Sequence, residues 1–172
     1  VGGGLLDPLR HNAWATGQLL AFCRDLSPEQ LRSTAEGTYG SILATLQHIV
    51  GAEGRYRLRL TGVRPDWPGD PEETEDLDEL GGMAEDMAMF WDQLGAGDFD
   101  GDRVVSWVSA VSGAHTDANA GILVAQALNH GNEHRAQIFT ILTTIGVEPP
   151  DLDAWSYGLA FGRFRETPPR PS

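Results

Sequence analysis

Apolar side chains recur every three to four residues along four long stretches of the chain, and between those stretches the rhythm disappears. Leu6, Leu9, Ala13, Thr16 and Leu20 share one helical stripe and predict a first helix from about Leu5 to Arg24, with Trp14 about 100° off the stripe and packing at its edge. Ser27-Pro28-Glu29-Gln30 supplies an N-cap, a proline at the first helical position and a glutamine at the third, which marks a short helix that Gly37 and Gly40 then interrupt. Ser41 caps a second long helix, in which Ile42, Leu43, Leu46, Ile49, Val50, Tyr56 and Leu60 form one face to about Thr61. Gly62, Pro65, Pro68, Gly69 and Pro71 turn the following segment into a loop. A third helix carries Leu77, Leu80, Ala84, Met87, Trp91 and Leu94 at the seam spacing of a bundle, with an acidic outer face; Met83, Met87 and Met89 read as core filler.

From Gly95 to Gly121 the helical period is lost. Val104 to Val108 reads as a short strand, hairpinned through Ser112-Gly113. A fourth long helix is expected from about Ala120 to Ile145, stopping at Gly146 with Pro149-Pro150 beyond it. Asp153 to Arg165 predicts a short terminal helix before a Pro-rich tail, and no internal repeat of fixed period is visible. The expected organisation is one domain over residues 5–166, with tails at 1–4 and 167–172.

Composition narrows the function classes. Of 172 residues, 41% are hydrophobic and 22% charged, a globular composition with enough apolar surface for one core. A net charge of −13 argues against a nucleic-acid partner, since binding a phosphate backbone needs clustered basic residues. Arg55, Arg57, Arg59 and Arg64 make one local basic patch, read as a solvated helix edge. The single cysteine, Cys23, permits neither an intramolecular disulfide nor a Cys-based zinc site, which suits a reducing, cytoplasmic setting. No apolar run approaches the ~20 residues that span a bilayer, and the N-terminus lacks the pattern of a secretory signal. Val1-Gly2-Gly3-Gly4 has no initiator methionine and reads as a processed or vector-derived start.

The candidate chemistry lies in Asn129-His130-Gly131-Asn132-Glu133-His134-Arg135-Ala136-Gln137. Two imidazoles four residues apart stack on one helix face, with Cβ atoms ~6 Å apart. On the wheel they fall within the stripe of Leu123, Ala127, Ile138, Ile141 and Ile145, so they face the core. Buried imidazoles need partners: a shared divalent cation is one solution, hydrogen bonds to carbonyls or carboxylates the other. A third ligand for an open metal site would come from His11, His48, His115 or a carboxylate. His48 is central in a long helix, yet lies about 140° from that helix's apolar stripe, beside Ser41, Ala52 and Arg55, and by itself reads as a surface or seam histidine. Glu53 projects into the apolar stripe and needs a partner there. Glu133 directly precedes His134 and points about 100° away from it, so the general base of a zinc-protease helix is missing.

Asn12-Ala13-Trp14-Ala15, the Ser41 to His48 run Ser-Ile-Leu-Ala-Thr-Leu-Gln-His, the His130 to Gln137 run, and Gly146-Val147-Glu148-Pro149-Pro150 followed by Asp153 and Tyr157 together resemble the DinB-like superfamily. The resemblance spans most of the chain in order. It implies an all-α fold, a four-helix bundle with a short irregular or β-hairpin insertion before the last long helix. It further implies that three histidines, here His48, His130 and His134, hold a divalent metal ion such as zinc or nickel, with His48 presented on a flank of its helix. Ala136 departs from the family's glycine in the His-Arg-Gly-Gln run. His11 and His115 lie outside the pattern and are expected to be ordinary exposed or loop histidines. Asn12, Glu53, Arg135 and Gln137 are candidates to brace the ligands or touch substrate. Family members that use bacillithiol or mycothiol suggest a metal-dependent S-transferase that conjugates a low-molecular-weight thiol, as co-substrate, to an electrophilic small-molecule substrate. Cys23 is not expected to be a nucleophile, so such chemistry imports its sulfur. The alternatives are a hydrolase using metal-bound hydroxide on an ester or amide, and a non-catalytic metal-binding stress-response scaffold. A homodimer is the assembly the resemblance suggests.

Overall fold

The computed structural model describes residues 6–109 and 111–167. The expected tail at 1–4, the first residue of the expected first helix and the last five residues of the C-terminal tail lie outside them. Four long helices form: α1 (Leu6–Cys23), α3 (Ile42–Thr61), α4 (Leu77–Ala96) and α5 (Ala120–Thr144), joined by short α2 (Pro28–Leu31) and followed by α6 (Ala154–Ala160). Between α4 and α5 sits an antiparallel hairpin of β1 (Val104–Val108) and β2 (His115–Asn119), registered from Val104 opposite Asn119 to Val108 opposite His115. The fold is thus the expected all-α bundle with a hairpin insertion. Among the described residues no helix is long and apolar enough to cross a membrane.

The helix ends follow local chemistry. Ser27 and Gln30 close a reciprocal capping box, Ser41 accepts from the Ala44 amide, and Asp76 accepts from the Asp78 and Glu79 amides. α3 stops at Gly62, whose φ of 76° is open to glycine at little cost. The terminal helix is shorter than the expected reach to Arg165. The Arg163 and Phe164 amides both turn back onto the Gly158 carbonyl, at 2.7 and 3.0 Å, and Gly162 takes φ 65°.

α1 packs chiefly on α4, and α3 on α5. The apolar core is two clusters rather than one. The first gathers residues such as Leu19, Ile42, Leu46, Met83 and Ile138; the second gathers Leu9, Tyr56, Met87, Trp91 and Ala127. Met83 and Met87 fill these clusters as expected, whereas Met89 is 59% exposed, because two residues along a helix turn a side chain about 200° away from Met87. His11 also departs from expectation. It is half-buried in α1, where its Nε2 donates to the Leu152 carbonyl at 2.8 Å, and its ring packs near Trp14 and Tyr157, so it ties the segment after α5 to α1. His115 is exposed on β2, as expected.

Where the two clusters meet, a buried polar layer joins all four long helices. Asn12 of α1 donates from Nδ2 to Glu53 Oε1 of α3 at 2.8 Å, and its Oδ1 accepts from Arg135 Nη1 of α5 at 2.9 Å. Trp91 of α4 donates from Nε1 to Glu53 Oε2 at 3.3 Å, and Arg135 also donates to Thr16 Oγ1 at 3.0 Å. One amide therefore turns its donor face to a buried carboxylate and its acceptor face to a buried guanidinium. Burial raises the Glu53 pKa, opposed by the Trp91 and Asn12 hydrogen bonds and by the Arg135 charge; burial lowers that of Arg135 to about 10, opposed by Glu53. No buried side-chain nitrogen or oxygen among the described residues lacks a partner.

Asn12→Leu leaves both charged groups without their bridge. A broken buried charge network typically costs about 3–5 kcal/mol. At about 2–4 °C per kcal/mol for a chain of this size, the thermal midpoint should fall by roughly 6–20 °C in a circular-dichroism melt. A fall under about 2 °C would show that the layer contributes little.

Candidate metal centre

Three imidazoles converge beside this polar layer. α5 carries His130 and His134 one turn apart, and α3 presents His48 from its flank. The Nε2 atoms of His48 and His130 lie 3.0 Å apart, and one ligand atom from each of the three rings falls within 4.8 Å of the others. Imidazole nitrogens sharing a tetrahedral ion at ~2.0–2.1 Å stand about 3.3 Å apart, so small rotations of the rings suffice to enclose one. Among the described residues no aspartate, glutamate or cysteine joins the group. The flank position of His48, which the wheel alone assigned to surface or seam, is what carries it to the partners on α5. The pair on α5 sits at the edge of the core rather than in its middle: His134 is buried, while His130 and His48 are half-buried.

The ring states suit a cation. Burial, then the neighbouring histidines, then Arg55, hold His130 down at about 4; burial, His134 and Arg55 lower His48 as well. Both rings are therefore neutral, with a lone pair available, at neutral pH. His134 is oriented by Gln137, whose Oε1 lies 3.0 Å from Nδ1 and also accepts the Tyr39 backbone N–H at 3.0 Å. An oxygen that already accepts from an amide can only accept from the ring. Nδ1 thus donates to Gln137, which leaves Nε2 as the ring atom available for a ligand role.

Of the four residues expected to support the ligands, only Gln137 touches one directly. Asn12, Glu53 and Arg135 instead form the buried polar layer, which meets α5 at Gly131, between His130 and Arg135. A Cβ on Gly131 would stand 2.5 Å from Asn12 Oδ1 and 2.8 Å from Arg135 Nη1, so only glycine lets α1 and α5 approach this closely. Glu133 is exposed, and Cys23 is buried with its thiol pushed up to about 12, so neither supplies a base or nucleophile here.

Two participants escaped the sequence reading. Tyr39 stacks on His48, with ring centroids 4.1 Å apart and planes 21° from parallel, and meets the edge of His134 at 5.3 Å. Its signal was an aromatic residue set in a glycine-flanked turn just before the Ser41 cap. Trp91 was counted as an apolar stripe residue, although its indole N–H is what reaches Glu53.

A sequence model of the DinB family matches residues 5–161 of the chain. Comparison with curated proteins finds no match.

Two outcomes test this geometry. Because folding lowers the His130 pKa from an unfolded value near 6.5 to about 4, the unfolded chain binds more protons in that interval. The stabilisation is full above about pH 6.5 and lost as pH falls through about 4, so the ion-free protein should lose thermal stability over that range, and His130→Gln should flatten the slope. An unchanged slope would contradict the burial of the ring. Gln137→Leu frees the His134 tautomer and should weaken zinc binding about 10–100-fold in a competition titration, with the helical spectrum retained.

Proposed function

The chain belongs to the DinB family, and on that footing we propose that it is a divalent-metal-dependent S-transferase that joins a low-molecular-weight thiol to an electrophilic small molecule. His48, His130 and His134 would hold the ion, zinc or nickel being cations that imidazole accepts, as it does copper and iron. Three neutral donors leave such an ion its full double charge, and that charge favours the anionic form of a thiol placed beside it.

The observation that carries the transferase reading is that, among the described residues, the imidazole cluster takes in no aspartate, glutamate or cysteine. Hydroxide could form on such an ion without a protein base, but no carboxylate stands free in the cluster to orient it or to protonate a leaving group: Glu133 is exposed, and both Glu53 oxygens are occupied by Asn12 and Trp91. A thiol ionises far more readily than water, and its transfer needs no such carboxylate. It must also come from outside, since Cys23 is buried and protonated. In the overall reaction the thiol sulfur forms a bond to the electrophilic carbon, the bond from that carbon to its leaving group breaks, and the thiol proton passes to solvent. The residues of the chain contribute positioning: Gln137 fixes the His134 ring, the Tyr39 ring covers His48, and the polar layer holds α5 against α1.

The reading predicts conjugation of monochlorobimane to mycothiol, bacillithiol or cysteine by the protein loaded with zinc or nickel. A chelator should abolish the activity, readdition of the ion should restore it, and His134→Ala should lower it by about 100-fold or more. Conjugation that survives chelation, or metal-dependent ester hydrolysis with no thiol transfer, would refute the assignment.

A further inference from the structure

All twelve cationic side chains of this acidic protein are arginines, against 25 carboxylates, and where they lie is uneven. Arg10, Arg24, Arg32, Arg55, Arg57 and Arg163 each pair with a carboxylate. Arg59 and Arg64 have no carboxylate within 4 Å among the described residues, and both line one cleft of about 700 Å³ between the C-terminal half of α3, the loop after it and β1. That volume suits a small organic ligand, for which clefts run about 300–1,000 Å³. Arg103, Arg135 and Arg165 also have no carboxylate partner among the described residues, but none of them lines this cleft, and Arg103 and Arg135 are engaged by the Leu60 carbonyl and by Asn12 and Thr16.

The walls are aromatic and held in place. The Arg59 guanidinium lies 5.0 Å over the Trp107 ring, which fixes it facing the cleft. Trp67 forms another wall. Its Nε1 donates to Asp86 at 2.9 Å, and its ring rests so closely on α3 that a Cβ on Gly54 would stand 2.7 Å from it. The one acid lining the cleft, Asp70, accepts the Glu72 amide through Oδ1 at 2.9 Å. Rigid aromatic faces with two uncommitted guanidiniums are a ready receptor for a planar or apolar body that bears a carboxylate or phosphate.

The cleft also adjoins the three histidines. His48, Gly51 and Arg55 follow each other at three and four residues along α3, so the cleft begins about one turn, ~5 Å, beyond His48, and Arg59 lies ~16 Å along the axis. Gly51 keeps the floor between them low: a Cβ there would press to 3.2 Å on Arg55 Nη1. We infer that this cleft binds the anionic end of an organic small molecule by Arg59 and Arg64 against Trp67 and Trp107, and that this molecule is a substrate of the adjacent histidine site. The second clause rests on the function proposed above; the first does not.

Isothermal titration of the chelator-treated protein with 1-naphthoate, 1-naphthyl phosphate and the neutral 1-naphthalenemethanol separates the two clauses. Either anion should bind at least about tenfold more tightly than the alcohol and weaken as salt rises, and the stronger of the two identifies the head group as carboxylate or phosphate. The double variant Arg59→Gln, Arg64→Gln should lose about tenfold in affinity for the anion with its thermal midpoint unchanged. His134→Ala should bind the anion as wild type does while losing conjugation. Equal affinity for the alcohol and the anions, no binding of either anion up to 10 mM, or undiminished binding by a folded double variant overturns the cleft assignment whatever the metal site does. The charged-against-neutral comparison needs no variant and decides the point if the double variant fails to fold. Anion binding that the wild type shows and the double variant loses, combined with an unchanged KM for acidic thiols in the double variant, overturns the link to the histidines alone.

Discussion

A carboxylate and a guanidinium buried in one helical bundle impose a condition on everything around them: each must find partners, or the fold forfeits several kcal/mol. Glu53 and Arg135 meet that condition indirectly, through the two faces of the Asn12 side-chain amide, with Trp91 and Thr16 completing the shell. Because the five residues come from all four long helices, the requirement sets the rotation of each helix and its offset along its neighbours. Apolar packing tolerates sliding and repacking, whereas an oriented amide between opposite charges does not. The layer also explains why the apolar residues divide into two clusters, and why α5 needs a glycine at Gly131, where the Asn12 oxygen comes closest.

The imidazole cluster inherits its precision from this layer. His130 and His134 flank Gly131 and Arg135 on α5, so the contacts that fix α5 against α1 also fix the direction in which the two rings project. The third ring arrives from α3, the helix that carries Glu53. Support closer to the rings comes from the Gly37 to Gly40 turn, which brings the Tyr39 ring onto His48 and its amide onto Gln137. A rigid frame of neutral nitrogens, half open to solvent, is better matched to a cation with an exchangeable position than to a closed structural site.

The charge of the molecule is organised around the same region. Six of the twelve arginines pair with carboxylates, and the exposed pairs among them contribute little stability each. Arg59, held over the Trp107 ring three turns along α3 from His48, and Arg64 in the loop after α3 have no carboxylate within 4 Å among the described residues and line one cleft. A protein of net charge −13 repels small anions over most of its surface, so a local cationic cleft beside the candidate centre would select where an anion can approach. α3 would then contribute to both chemistry and recognition, His48 to the first and Arg59, near its C-terminal end, to the second.

The element pattern was legible along the chain because it depends on neighbours within a few residues. Helical spacing, the Ser41 cap and the glycine stops located the long helices to within a residue or two, the Ser27 cap located α2, and a short apolar run located the first strand of the hairpin; the Asp76 cap of α4 came only from the structure. The His130–His134 pair was legible for the same reason, since an i, i+4 relation lies within one helix. What the wheel could not decide was His48, because whether a helix flank faces water or a neighbour depends on how two helices are set against each other. Nor could it reveal that Tyr39 caps a ring, that Trp91 serves as a donor, or that Met89 points outward, that His11 ties down the chain end, or that a run of arginines lines a cleft rather than a solvated edge. Spacing dictates which residues share a face, but which faces meet follows from satisfying Glu53 and Arg135 across four helices at once, a constraint between residues as far apart in the chain as Asn12 and Arg135 that only the folded chain resolves.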